Sequence, residues 1–189
     1  AELSRTLLKF PISTISTDRT AGTIPASGSV NFYLKVYNAR HSEQLPNDFT
    51  VNVMAVSQSW QEGIGLDMES YKDETKDSIN GSNWTNRQKT TAWGKPGGEY
   101  HSSSYVSGET MPNYTYTFTE GYEDIELDIT EMVEEWAAST QTNYGLGVFL
   151  TSSQEAHVSN SSGVDSGSVL HNTEGQQTSY YTKRFFSRS

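Results

Sequence analysis

The sequence contains no cysteine, so disulfide bridges, thiolate metal sites and thiol nucleophiles are all excluded. Oxidising and reducing surroundings are equally compatible with it. Cations are scarce: 13 Lys and Arg stand against 23 Asp and Glu, giving a formal net charge of -10 and a pI near 4.8. That balance argues against nucleic acid as a partner, because binding phosphates requires clustered Lys and Arg to release counterions. No apolar run approaches the roughly 18 residues of a membrane helix, and no signal peptide is visible, so no membrane partner is expected. The four histidines, His41, His101, His157 and His171, never occur at the i, i+4 spacing of a zinc-binding helix and read as loop residues. There is no Gly-x-Ser-x-Gly elbow, and Gly94-Lys-Pro-Gly-Gly98 lacks the spacing of a phosphate loop. No catalytic constellation assembles, and the expectation is a protein that is not an enzyme.

Aromatic side chains are abundant instead, with 11 Tyr, 7 Phe and 4 Trp among many Ser, Thr, Asn and Gly, a composition suited to pleated sheets. A chain of 189 residues and 21.0 kDa fits one domain over 1–189, large enough to bury a core without staples. Its start at Ala1 rather than Met points to processing or to excision from a longer protein. Strands are expected where apolar residues recur with a period of two: Ser4 to Phe10, Val30 to Tyr37, Phe49 to Val56, Tyr114 to Phe118, Ile125 to Ile129 and Leu146 to Leu150. The tail Ser179 to Phe186 reads as a last strand, and Val169-Leu170 as a further short one. Apolar residues on both faces of Phe49 to Val56 mark a central strand, expected to pair with Val30 to Tyr37. One short α-helix is expected near 129–138, where Met132, Val133 and Trp136 form a helical stripe. Asp128 and Glu131 have capping-box spacing, and Thr130 is a competing N-cap. The region Thr17 to Gly22 reads as a Ser/Thr-rich loop. About seven strands with long loops predict an all-β, antiparallel β-sandwich of jelly-roll type.

Residues 57–105 form a long polar, Gly-rich loop region set with tryptophans, and loops of this length are functional or packed by their own side chains. Trp60, Trp84, Trp93 and Tyr100 are therefore the candidate ligand-binding residues: flat apolar faces that either stack on sugar rings or fill the space beneath their loop. Asp67, Glu69 and Asp73 are the candidate metal ligands, with calcium as the cation, since hard cations collect several oxygens from one loop; the EF-hand pattern is absent. No other cofactor is implied. Glu131, Glu134 and Glu135 read as the solvated face of the helix.

Several short motifs occur in a telling order: Ser4-Arg-Thr-Leu-Leu-Lys-Phe10, Ile24-Pro-Ala-Ser-Gly28, Ser59-Trp-Gln-Glu-Gly63, Asn83-Trp84 with Trp93, Gly97-Gly-Glu-Tyr100, Leu127-Asp-Ile-Thr130, Trp136 and Asn143-Tyr-Gly-Leu146. Over about residues 3 to 151 this order resembles DNRLRE-type domains, β-sandwich modules similar to carbohydrate-binding modules of secreted proteins. The strand that precedes the arginine strand in that pattern is missing here, which implies a piece of a longer chain. The strand Ala26 to Asn38, the loop Gly65 to Asp73 and the tail Ser179 to Phe186 also look like structural proteins of marine tailed phages and cyanophages. The resemblances imply a non-enzymatic virion structural protein or domain of a tailed phage, contacting other virion proteins as a homo-oligomer. The alternative they imply is an extracellular carbohydrate-binding module that recognises a polysaccharide for surface attachment. Neither family brings a catalytic residue.

Overall fold

A computed structural model describes residues 4–41, 47–63, 81–101, 111–155 and 183–186. Ten elements run in order: β1 (Thr6–Leu8), α1 (Ile15–Thr20), β2 (Tyr33–Val36), β3 (Phe49–Ala55), β4 (Asn86–Gln88), β5 (Thr91–Ala92), β6 (Tyr114–Phe118), β7 (Ile125–Asp128), α2 (Thr130–Ala137) and β8 (Leu146–Leu150). The chain is all-β, with antiparallel sheets and two short helices among the described residues.

The alternation in β3 puts Phe49, Val51, Val53 and Ala55 on one face, each at most 4% exposed. β3 is central in a four-stranded sheet of order β1-β8-β3-β6, as its apolar character on both faces predicts. Its expected pairing with β2 is corrected: β2 pairs with β7 instead, in a separate two-stranded sheet, while β3 pairs with β6 and β8. The reason is visible in the burial. Leu34 and Val36 of β2 and Ile125 of β7 join Phe49, Val53, Phe118 and Leu146 in one buried cluster, so the two strands cover the same core from different sheets. Phe49 and Phe118 stack at 4.7 Å within it. The region 57–105 is not wholly loop, since β4 and β5 form a hairpin there.

Helix α2 lies where the period switch places it, and Met132, Val133 and Trp136 are its buried stripe. Its start differs from the expected capping box. Ile129 is the N-cap residue; Asp128 Oδ1 accepts Thr130 N–H at 2.9 Å, and Thr130 Oγ1 accepts Phe32 N–H at 2.8 Å, tying the helix start to β2. The expected loop around Thr17 is corrected to helix α1. Short helices owe their stability to tertiary contacts more than to propensity, and α1 has them. Ile15 is buried, Ser16 Oγ donates to Ala137 O at 3.0 Å, and the Arg19 guanidinium binds both Glu134 oxygens at 2.5 and 2.8 Å. Glu134 is thus an ion-pair partner rather than part of a free solvated face.

Of the expected last strand, residues 183–186 are described, and Phe185 forms an isolated bridge with Asn38. Lys183 Nζ donates to Asn38 Oδ1, Gly121 O and Glu123 O at 2.9, 2.9 and 2.7 Å, 4.4 Å from the Phe118 ring centroid. The expected strand at Val169-Leu170 lies outside the described residues.

Two predictions follow from this packing. Trp136→Ala should cost about 3–5 kcal/mol of stability in chemical denaturation, since a buried aromatic leaves a cavity. Glu123 contributes to the acid limb. Desolvation pushes its carboxyl up, but N–H groups of Thr119 and Glu120 and the Thr119 hydroxyl bind it and hold it down at about 2. Its contribution is therefore complete above its ordinary value of 4.5 and lost as pH falls towards about 2. Glu123→Gln should flatten the stability–pH curve within that window and leave its shape unchanged above it.

Candidate functional site

Three of the motifs singled out in the sequence, Ser4 to Phe10, Asn83-Trp84 and Gly97 to Tyr100, meet at one side chain, Arg5 of the segment entering β1. β1 pairs antiparallel with β8, setting Thr6 opposite Val148 and bringing Arg5 beside Phe149. Arg5 Nε and Nη2 donate to the two carboxylate oxygens of Glu155 at 2.7 and 2.6 Å, a bidentate pair in which the side chains are 18% and 10% exposed. Arg5 Nη1 donates to Gly97 O at 3.1 Å. Three rings surround the guanidinium, with centroids at 4.7 Å for Phe149, 5.1 Å for Trp84 and 5.9 Å for Tyr100. Burial disfavours the charge on Arg5, but hydrogen bonding and attraction from Glu155 outweigh it and raise its pKa.

Glycine makes the close approach possible. A Cβ at Gly97, where φ is +84°, would sit 2.8 Å from the Trp84 ring, and one at Gly147 would sit 2.2 Å from Tyr100. Tyr100 also packs on Phe149 with centroids 4.5 Å apart and donates its hydroxyl to Gly97 O at 3.1 Å. Desolvation pushes that hydroxyl up to about 12, against the pull of Arg5. The group stays a neutral phenol at any physiological pH.

The four aromatic candidates are accordingly distributed as follows. Trp84 and Tyr100 are partly buried walls of the Arg5 cage. Trp93 is 5% exposed, and its indole N–H donates to Asn83 O at 2.9 Å. Trp60 is partly buried and donates to Tyr144 O at 2.7 Å, fastening the Trp-x-Glu-Gly loop to the Asn-Tyr-Gly turn. Asn83 accepts from Thr85 N–H, the Thr85 hydroxyl and Asn86 N–H, so this loop organises its own backbone. Glu155 and Phe149 are the partners that sequence reasoning missed. Their only signal was their position just after or at the end of a strand, and nothing in spacing links residue 155 to residue 5.

Asp67, Glu69 and Asp73 lie outside the described residues. Among the described residues no group of three or more His, Asp or Glu side chains is placed to hold a metal ion. A shallow cleft of about 310 Å³ opens elsewhere, between Phe10 to Ser13 and the end of α2 at Trp136 and Ala137. What the Arg5 cage can do chemically is clamp: a guanidinium fixed on three sides by π faces and neutralised by a buried carboxylate offers neither a proton to transfer nor an open coordination position. Comparison with protein-family models, with curated proteins and with solved structures gives no match.

The clamp predicts strong coupling in a double-mutant cycle. Glu155→Leu alone should destabilise by about 3 kcal/mol because it strands a buried guanidinium. Adding Arg5→Met should recover a good part of that loss. Additive losses in urea denaturation would mean that the pair is not a unit.

Proposed function

We propose that the chain is a non-enzymatic structural domain of a tailed-phage virion, a head, neck or tail component. In this reading the two sheets form the layers of a sandwich-like platform, and the loops and outer faces meet neighbouring subunits. One observation above all supports it: the loop tryptophans are used inward. Trp60 and Trp93 direct their N–H groups to carbonyls of the chain itself, and Trp84 covers Arg5. A sugar-stacking platform needs broad aromatic faces open to solvent. The assignment to a virion rests on the resemblance of the Ala26 to Asn38 strand and the tail to phage structural proteins. The carbohydrate-binding reading stands second for the same reason that favours the first.

The reading predicts that mass spectrometry finds this chain in purified virions and that a glycan array shows no binding by the isolated protein. Tight binding to one polysaccharide, lost on Trp84→Ala with the circular-dichroism spectrum retained, would replace it with the polysaccharide reading.

A further inference from the structure

Backbone pairing determines what the outer face of β2 carries. Ile129 N–H bonds to Phe32 O at 2.9 Å, so even-numbered residues of this segment direct their backbone groups towards β7. Odd-numbered residues direct theirs to the opposite edge. There Tyr37 O accepts Phe186 N–H at 3.0 Å, and Ala39 N–H donates to Arg184 O at 2.9 Å. Leu34 and Val36 point into the core, so Tyr33, Lys35 and Tyr37 project outward. Tyr33, Tyr37 and Phe186 are 51%, 57% and 70% exposed, which makes this side the main gathering of bare aromatic rings among the described residues. Surface aromatics grouped in this way mark interaction sites more often than scattered ones do.

Charge on this face is sorted into columns. Across the register Tyr33 stands opposite Asp128 and Lys35 opposite Glu126, all exposed. β7 therefore presents an acidic column, while β2 and the tail beyond it present the rings together with the cations Lys35 and Arg184. Lys35 and Glu126 meet at 3.1 Å, but both are more than half exposed, and such a pair is held weakly enough to exchange partners.

The geometry points to this face as a self-association surface whose occupant is a second copy of the chain, related by a two-fold axis parallel to β2 and β7. Laying one copy on another about that axis exchanges left and right. The acidic column of each then lies over the side of the other that carries Lys35 and Arg184 together with Tyr33, Tyr37 and Phe186. A two-fold perpendicular to the strands would instead set acid upon acid. The isologous arrangement is the commonest way in which soluble chains pair, and tyrosine is enriched at such interfaces. The inference is independent of the virion reading: either can fail while the other stands.

Sedimentation equilibrium of the full chain should show a dimer that weakens as salt is raised. Lys35→Glu and Glu126→Lys should each weaken it by at least about tenfold, because each sets like charges against one another across the axis. An equimolar mixture of the two variants should recover association as a heterodimer, although the pair within each chain remains broken. Tyr37→Ser should weaken the dimer with the fold unchanged by circular dichroism. A wild-type chain that is monomeric at roughly 100 µM overturns the proposal. So does a dimer that ignores Lys35→Glu, or variants that fail to recover on mixing.

Discussion

Burying a guanidinium among aromatic rings is costly unless a counter-charge accompanies it, and that constraint organises the Arg5 region of this protein. Glu155, beyond the end of β8, supplies the charge to Arg5, at the entrance of β1. The pair joins residues 150 positions apart, and the loop carrying Trp84, Gly97 and Tyr100 closes over it. One ion pair thereby joins the start of edge strand β1 to the segment after its neighbour β8, with Trp84, Gly97 and Tyr100 packed against it. Removing either charge alone leaves the other buried, which is why such a pair acts as a specificity device as much as a source of stability.

The helices and the tail are held by different means. Helix α2 buries Met132, Val133 and Trp136 and is itself gripped by α1 through Arg19 and Glu134. The tail segment returns to β2, where Lys183 is ringed by three oxygens. Both clasps close long stretches of chain onto a single apolar cluster, so that strands from two sheets and both helices share one core. The outer face of β2 and β7 keeps its aromatic rings bare. Inward rings in the loops and outward rings on that strand face divide the aromatic inventory between holding the fold and facing outward.

Where local period decides structure, the sequence is readable: β3, β6, β7, β8 and α2 lie at their expected places because the alternation or the helical stripe faces a core directly. Helix α1 escapes such reading, since the five residues that follow Ile15 in it are polar and carry no stripe, and its stability comes from Arg19 and Ser16 reaching α2. Strand partners escape it too. The period of β2 says that one face is buried but not which sheet it joins. The aromatic loop residues are legible as candidates, and packing beneath their loop as one of two uses; their partners are not, because these depend on Glu155 and on glycines whose role appears only once Arg5 is in place. The partner of Glu134 was hidden for the same reason, lying 115 residues away.

Trp60 and Trp93 fasten the tryptophan loop to the chain through their indole N–H groups. Hydrogen exchange of the indole N–H groups, followed by NMR on the intact protein, tests this fastening most directly. Trp60 and Trp93 donate to Tyr144 O and Asn83 O, so both should exchange far more slowly than a free indole and should not shift when polysaccharides are added. Indole protons that exchange freely and shift on titration with a polysaccharide would contradict the account.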